Sequence, residues 1–157
     1  MKYRRLTKEQ LEEMHQEFIN FLAAQTITVD EWNDIKKNKP QVAEDEIDVF
    51  SDLVWEGVLS KVTYLENISA TEMHLFHLGE KEMRLIAVRV HQPGVNLTTK
   101  EGFTWFKNNF LTDAVEMMVA AKAYTEDRNK DKFELIEKGA VITKGELFTY
   151  FDEILPN

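Results

Sequence analysis

Residues 72–90 read "EMHLFHLGEKEMRLIAVRV": two runs of apolar, aromatic and β-branched residues parted by Gly79, Glu80 and Lys81. Each run has strand length and is bounded by turn residues, which predicts strands over 72–78 and 82–90 joined as a hairpin. Gly79 is the residue able to take a positive φ in the connection. Upstream, "SKVTYLENIS" adds a strand over 61–67. Downstream, "HQPGVNLTT" is a Pro-Gly turn with room for a short fourth strand.

On either side the period becomes helical. Thr7 and Gln10 have capping-box spacing, and Leu11, Met14, Phe18 and Leu22 then recur as one helix over 7–24. Thr28 with Glu31 opens a short helix carrying Trp32 and Ile35, which must stop before Pro40. A longer helix covers 42–60. Beyond the strands, Thr98 with Glu101 caps a helix holding Phe103, Trp105 and Phe106. Thr112 or Asp113 caps a second, with Val115, Met118, Val119 and Lys122 on one side. "YTEDRNKDK" is a charged break before helix resumes through Phe133 and Ile136, to end at Gly139 in a left-handed cap. Thr143 with Glu146 caps the last helix, through Leu147, Phe148, Phe151 and Ile154. The expectation is a mostly helical α+β protein, a single domain over 1–157, with a three- to four-stranded antiparallel sheet between N-terminal and C-terminal helices.

Composition narrows the function. A chain of 157 residues with 43% hydrophobic and 11% aromatic content can bury a packed core. A net charge of −9 opposes nucleic-acid binding, which needs a basic face to displace counterions from phosphates. No apolar run has signal-peptide or membrane-spanning length, so a cytoplasmic protein without a membrane partner is expected. Zero cysteines exclude a disulfide, a thiolate metal site and a Cys nucleophile. Ser51, Ser60 and Ser69 lie in no Gly-x-Ser-x-Gly elbow, and the six glycines form no phosphate-binding loop.

The densest chemistry lies in "EDEIDVFSDLVWEGVLSKV", residues 44–62. On a helix, Asp45, Asp48, Asp52 and Glu56 fall on one stripe, with Ile47, Phe50, Val54 and Val58 on another roughly 140° away. Val49, Leu53, Trp55 and Leu59 lie beyond the apolar stripe, which implies neighbours on more than one side. Carboxylates in a row could ligate a hard cation, but such a site needs convergent oxygens from other elements, and none is identifiable. A solvated helix face is the ordinary alternative. Its wholly solvated form tolerates Asp48→Asn with Asp52→Asn within about 1 kcal/mol. The basic start, Lys2, Arg4 and Arg5, reads as a solvated terminus or as an intramolecular partner of the stripe. Glu12 and His15 have the Glu-x-x-His spacing of di-iron bundles, without the second pair such a centre requires. His74 and His77, three apart on a strand, face opposite sides and do not converge on one metal.

"MKYRRLTKEQLEEMHQEFINFLA", "DVFSDLVWEGVLSKVTYLE", "EGFTWF" and "KFELIEKGAVIT" together resemble a family of short, acidic cytosolic proteins of Bacteroidetes-type bacteria with no established activity. The resemblance implies a bacterial cytosolic protein and carries over no catalytic residue. No catalytic, cofactor or metal residue is assigned. The residues point to a non-enzymatic protein-interaction or regulatory module. Its acidic surface and the aromatic group Phe103, Trp105, Phe106 and Phe110 would meet another protein or a second copy of the chain. A metal-dependent enzyme using helix-borne carboxylates is the alternative.

Overall fold

The computed structural model describes residues 1–156. By its internal contacts the chain divides into two compact units, Met1–Ser60 and the remainder from Lys61 on, each with apolar clusters of its own.

In the first unit, α1 (Lys8–Glu13), α2 (His15–Ala24), α3 (Val29–Asn38) and α4 (Pro40–Lys61) follow one another. Both expected caps are present. The Thr7 hydroxyl accepts from the Gln10 N–H while the Gln10 side chain accepts from the Thr7 N–H, and the Thr28 hydroxyl accepts from Glu31. The helix expected over 7–24 is broken at Met14, whose ψ of 25° interrupts the ladder. Beyond the break, Phe18 and Phe21 pack against Leu22, Trp32 and Ala43, the unit's apolar cluster. Phe18 meets Trp32 edge-on at 5.2 Å and Phe50 at 5.0 Å.

Helix α2 ends in a Schellman motif: Thr26 N–H bonds to Ala23 O at 2.9 Å and Ile27 N–H to Leu22 O at 3.0 Å, with Ile27 packed in the same cluster as Leu22. The left-handed position is held by Thr26 at φ 61°, a β-branched residue where glycine is usual. On α4, Phe50 is buried, Ile47 and Val54 are half-buried, and Val58 is exposed. Leu59 is fully buried and Trp55 half-buried, whereas Val49 and Leu53 remain 52% and 55% exposed, so the burial expected beyond the apolar stripe is met in part.

The second unit is built on a five-stranded antiparallel sheet, one strand larger than the upper expectation, in the order β4-β3-β2-β1-β5. Strands β1 (Tyr64–Ile68), β2 (Glu72–Leu78) and β3 (Glu82–Val90) match the predicted meander. Gly79 turns the hairpin without a positive φ, its N–H bonding to Glu82 O at 3.0 Å. The short strand expected in 91–99 is a turn, pinned where Leu97 N–H meets Ala70 O at 2.8 Å. Helix α5 (Lys100–Asn109) is capped by Thr99, one residue later than expected, because Thr98 instead donates twice to Asn96 Oδ1.

Strand β4 (Val115–Ala123) replaces a predicted helix. Its alanines favour helix by only a few tenths of a kcal/mol each, whereas Val115, Met117 and Val119 also alternate at strand period. Paired across from Val90, Val88 and Ile86, they gain a full ladder. Helix α6 (Arg128–Glu137) starts inside the charged segment, capped by Asp127, and ends with Gly139 at φ 111° as expected. A two-residue strand, β5 (Val141–Ile142), joins β1 and displaces the Thr143 cap. Thr143 N–H bonds to Tyr64 O, and Gly145 becomes the N-cap of α7 (Glu146–Ile154). Strands and helices thus interleave in the C-terminal half instead of segregating.

Helices α5 and α7 cover one sheet face, where Phe106, Phe148 and Phe151 pack on Met73, Leu75, Ile86 and Val88. Helix α6 covers part of the other, with Leu135 and Ile136 against Leu65 and Leu78. A Cβ at Gly102 would lie 1.7 Å from Asn96 O, so only glycine lets the 91–99 turn rest on α5.

Two substitutions test these backbone assignments by denaturant unfolding. Thr26→Gly is expected to stabilise by about 0.5–1 kcal/mol, by relieving the left-handed β-branched residue. Gly102→Ala is expected to destabilise by about 1–3 kcal/mol through overpacking. A loss from the first or no effect from the second contradicts the local geometry.

Candidate functional site

The acidic row of α4 is occupied from within its own unit. Residues 2–6 lie along the helix in the opposite direction. Asp52 accepts the Lys2 N–H at 2.7 Å and the Tyr3 N–H at 2.9 Å, one on each carboxylate oxygen. Glu56 takes the Lys2 ammonium at 2.9 Å and the Tyr3 hydroxyl. Arg5 Nε donates to Asp48 at 2.7 Å, and its guanidinium also pairs with Glu44. Leu6 is buried, and its N–H donates to the fully buried Ser51 Oγ at 3.1 Å. The Arg4 guanidinium lies over Trp55 at 5.1 Å. Carboxylates at 44, 48, 52 and 56 repeat every fourth residue and would repel one another; cations and amides from the terminus offset that repulsion.

This corrects the sequence reading in two respects. The stripe is not wholly solvated, and Glu44 joins it in pairing with Arg5, while Asp45 accepts from Gln41 Nε2 at 2.9 Å. The intramolecular pairing of Lys2 and Arg5 with the stripe is the arrangement found. Glu12 and His15 are both exposed and stand on opposite sides of the Met14 break. His74 and His77 do face opposite sheet sides: His77 packs on Tyr64 and Phe148, His74 beside Phe76. Among the described residues no cluster of three His, Asp or Glu is placed to hold a metal. Nothing favours the metal-enzyme alternative.

The serines serve the backbone. Ser51 accepts from Leu6, while Ser60 and Ser69 donate to the carbonyls of Glu56 and Glu72. Several perturbed groups lay beyond sequence reasoning, because their neighbours are remote in the chain. Burial pushes the Tyr3 phenol up to about 12, and its bond to Glu56 adds to the shift. Burial raises the Glu66 carboxyl against the opposing Thr143 hydroxyl, and it lowers Lys132, whose ammonium donates to Val62 O at 2.7 Å. The Arg84 fork on Asp152, with contacts of 3.1 and 2.5 Å, holds that carboxyl below its usual range. These contacts tie elements together; none is arranged as a nucleophile with a base.

A cleft of about 330 Å³ lined mainly by aromatic side chains lies between α5 and α7. Phe106 and Phe151 form its floor 5.7 Å apart, and Phe110 stands edge-on to Phe151 at 5.5 Å. Tyr150, 51% exposed, and Lys107, whose ammonium sits 5.6 Å over Phe103, stand beside them. Of the aromatic group picked out in the sequence, Phe103 and Phe110 remain half-open, and Phe106 is fully buried. Leu147, Tyr150 and Phe151 were missed as lining residues, because they come from a helix some forty residues away.

No helix among the described residues is long and apolar enough to cross a membrane. A family model described as "Family of unknown function (DUF6495)" matches residues 1–156. No curated protein and no solved structure matches the chain.

The row on α4 generates a stability test. Asp52→Ala, which strips two amides of their acceptor, is expected to cost about 1–2 kcal/mol, and Asp45→Ala less than about 0.5 kcal/mol. Equal losses would contradict the pairing. The Tyr3 shift supplies a second test. Because its folded pKa is raised above the ordinary 10.0, the phenol's contribution to stability is whole below pH 10 and is lost as pH rises toward about 12. An ultraviolet titration of the parent minus Tyr3→Phe should show one phenol ionising near 12; ionisation near 10 would contradict the burial.

Proposed function

The chain belongs to the DUF6495 family of unknown function, and we propose that it is a non-enzymatic protein-interaction module of the bacterial cytosol. The observation that carries this reading is the aromatic cleft between α5 and α7. Apolar pockets with a few polar groups are where ligands bind, and aromatic side chains are enriched at the cores of protein interfaces. The partner this chemistry suits is a protein segment that lays one large apolar side chain into the cleft against the edge-packed Phe110 and Tyr150, with a carboxylate beside it to meet Lys107. Nucleic acid is a poor match for a chain of charge −9. A regulatory role would follow if the segment belonged to an enzyme or a transcription factor.

Tyr150→Glu tests the reading, since the side chain is half-exposed and its replacement leaves the buried Phe106 and Phe151 in place. Partners captured from the source organism's lysate at physiological salt should be retained by the parent and lost about tenfold or more by the variant, with unchanged melting. Recovery of no specific partner, or of partners indifferent to Tyr150→Glu, overturns the proposal.

A further inference from the structure

The sheet ends in two edges of unequal kind. At one, β5 is only two residues long. At the other, β4 runs for nine residues in unbroken register with β3, and it contains no proline and only two charged residues, Glu116 and Lys122. Residues 118–123 are all exposed, Met118 by 59% and Val119 by 56%. Short strands, prolines, bulges and charges are the usual devices that blunt an edge, and β4 makes little use of them.

The phase of its hydrogen bonds is known. His91 N–H donates to Ala114 O at 2.8 Å, and those residues stand opposite one another when the β3–β4 register is extended by one pair. Bonded pairs recur every second residue. Glu116, Met118, Ala120 and Lys122 therefore bond to β3, while Met117, Val119 and Ala121 turn their N–H and C=O groups outward.

We propose that β4 pairs antiparallel with β4 of a second copy of this chain, across a two-fold axis at Val119. In that register each Val119 exchanges a reciprocal pair of bonds with its twin, and Met117 faces Ala121. Glu116 of either copy then stands directly opposite Lys122 of the other, in the non-bonded pairs where side chains come closest. The sequence of the strand is thus charge-complementary to itself about its central residue. Shifting the axis to Met118 sets Glu116 against Ala120 and Lys122 against Ala114; shifting it to Ala120 sets them against Tyr124 and Met118. Only the Val119 axis pairs the charges. The contact is isologous and closes as a dimer, with one continuous sheet through both copies. It is independent of the aromatic cleft, which is formed by α5 and α7.

Sedimentation of the full chain over a wide concentration series provides the test. The parent should approach twice the 18.4 kDa protomer mass. Val119→Pro removes an outward N–H and leaves the bonds to β3 intact, so it should remain at the protomer mass with its melting little changed. Lys122→Glu sets like charges opposite each other at both ends and should raise the dissociation constant about tenfold. Adding Glu116→Lys to that variant should restore the parent value, a recovery that no general loss of stability can produce. A parent that stays at 18.4 kDa throughout, or a dimer indifferent to Val119→Pro, or a double swap that fails to recover, overturns the pairing.

Discussion

In the unit from Lys61 on, the arrangement depends on the nine-residue ladder between β3 and β4. Without it the sheet would stop at a strand whose outward groups find no partner, and Val115 and Met117 would have no reason to face Phe106 and Phe151. The ladder also routes the chain. Having left α5 on one sheet face, it crosses the full width of β4 before α6 begins, so that Leu135 and Ile136 reach the other face beside Leu78. Its consequence is an edge of low charge whose odd-numbered amides point outward.

A different constraint organises Met1–Ser60. Four carboxylates spaced every fourth residue on α4 are an electrostatic liability for a helix, and the terminus answers it with Lys2, Arg5 and two backbone amides. Exposed ion pairs contribute little singly. Here they are backed by the buried Leu6 and Ser51, so the segment is held by packing and hydrogen bonding together with charge. Glu44, Asp48 and Asp52 of "EDEIDVFSD" thus have partners within their own unit.

Much of this was legible where one period or one cap decides. The β2–β3 hairpin follows from strand-length apolar runs around Gly79, and Thr7, Thr28 and Gly139 mark their helix ends by chemistry that needs no distant partner. Val115–Ala123 was not legible because Val-x-Met-x-Val satisfies the strand period while the alanines satisfy the helix. Only the presence of β3 alongside decides between them. Thr98 and Thr143 have the spacing of caps but are diverted, one by Asn96 and the other by the β1 backbone. Glu44 joins the acidic row through the reach of the Arg5 guanidinium, a remote contact that helix phase alone does not announce. The aromatic cleft was half visible, as the α5 residues cluster in sequence while the α7 contribution arrives through the fold.

Residue-resolved amide hydrogen exchange across 115–123 tests the central claim, that this segment is an edge strand paired to β3 on one side only, most directly. In the Lys122→Glu protein, where dimer pairing is weakened, protection should alternate: slow exchange at Glu116, Met118 and Ala120, and fast exchange at Met117, Val119 and Ala121. In the parent at high concentration the fast set should become slow. Protection that runs continuously along the segment in both proteins, as a helix or a covered strand would give, would contradict the account.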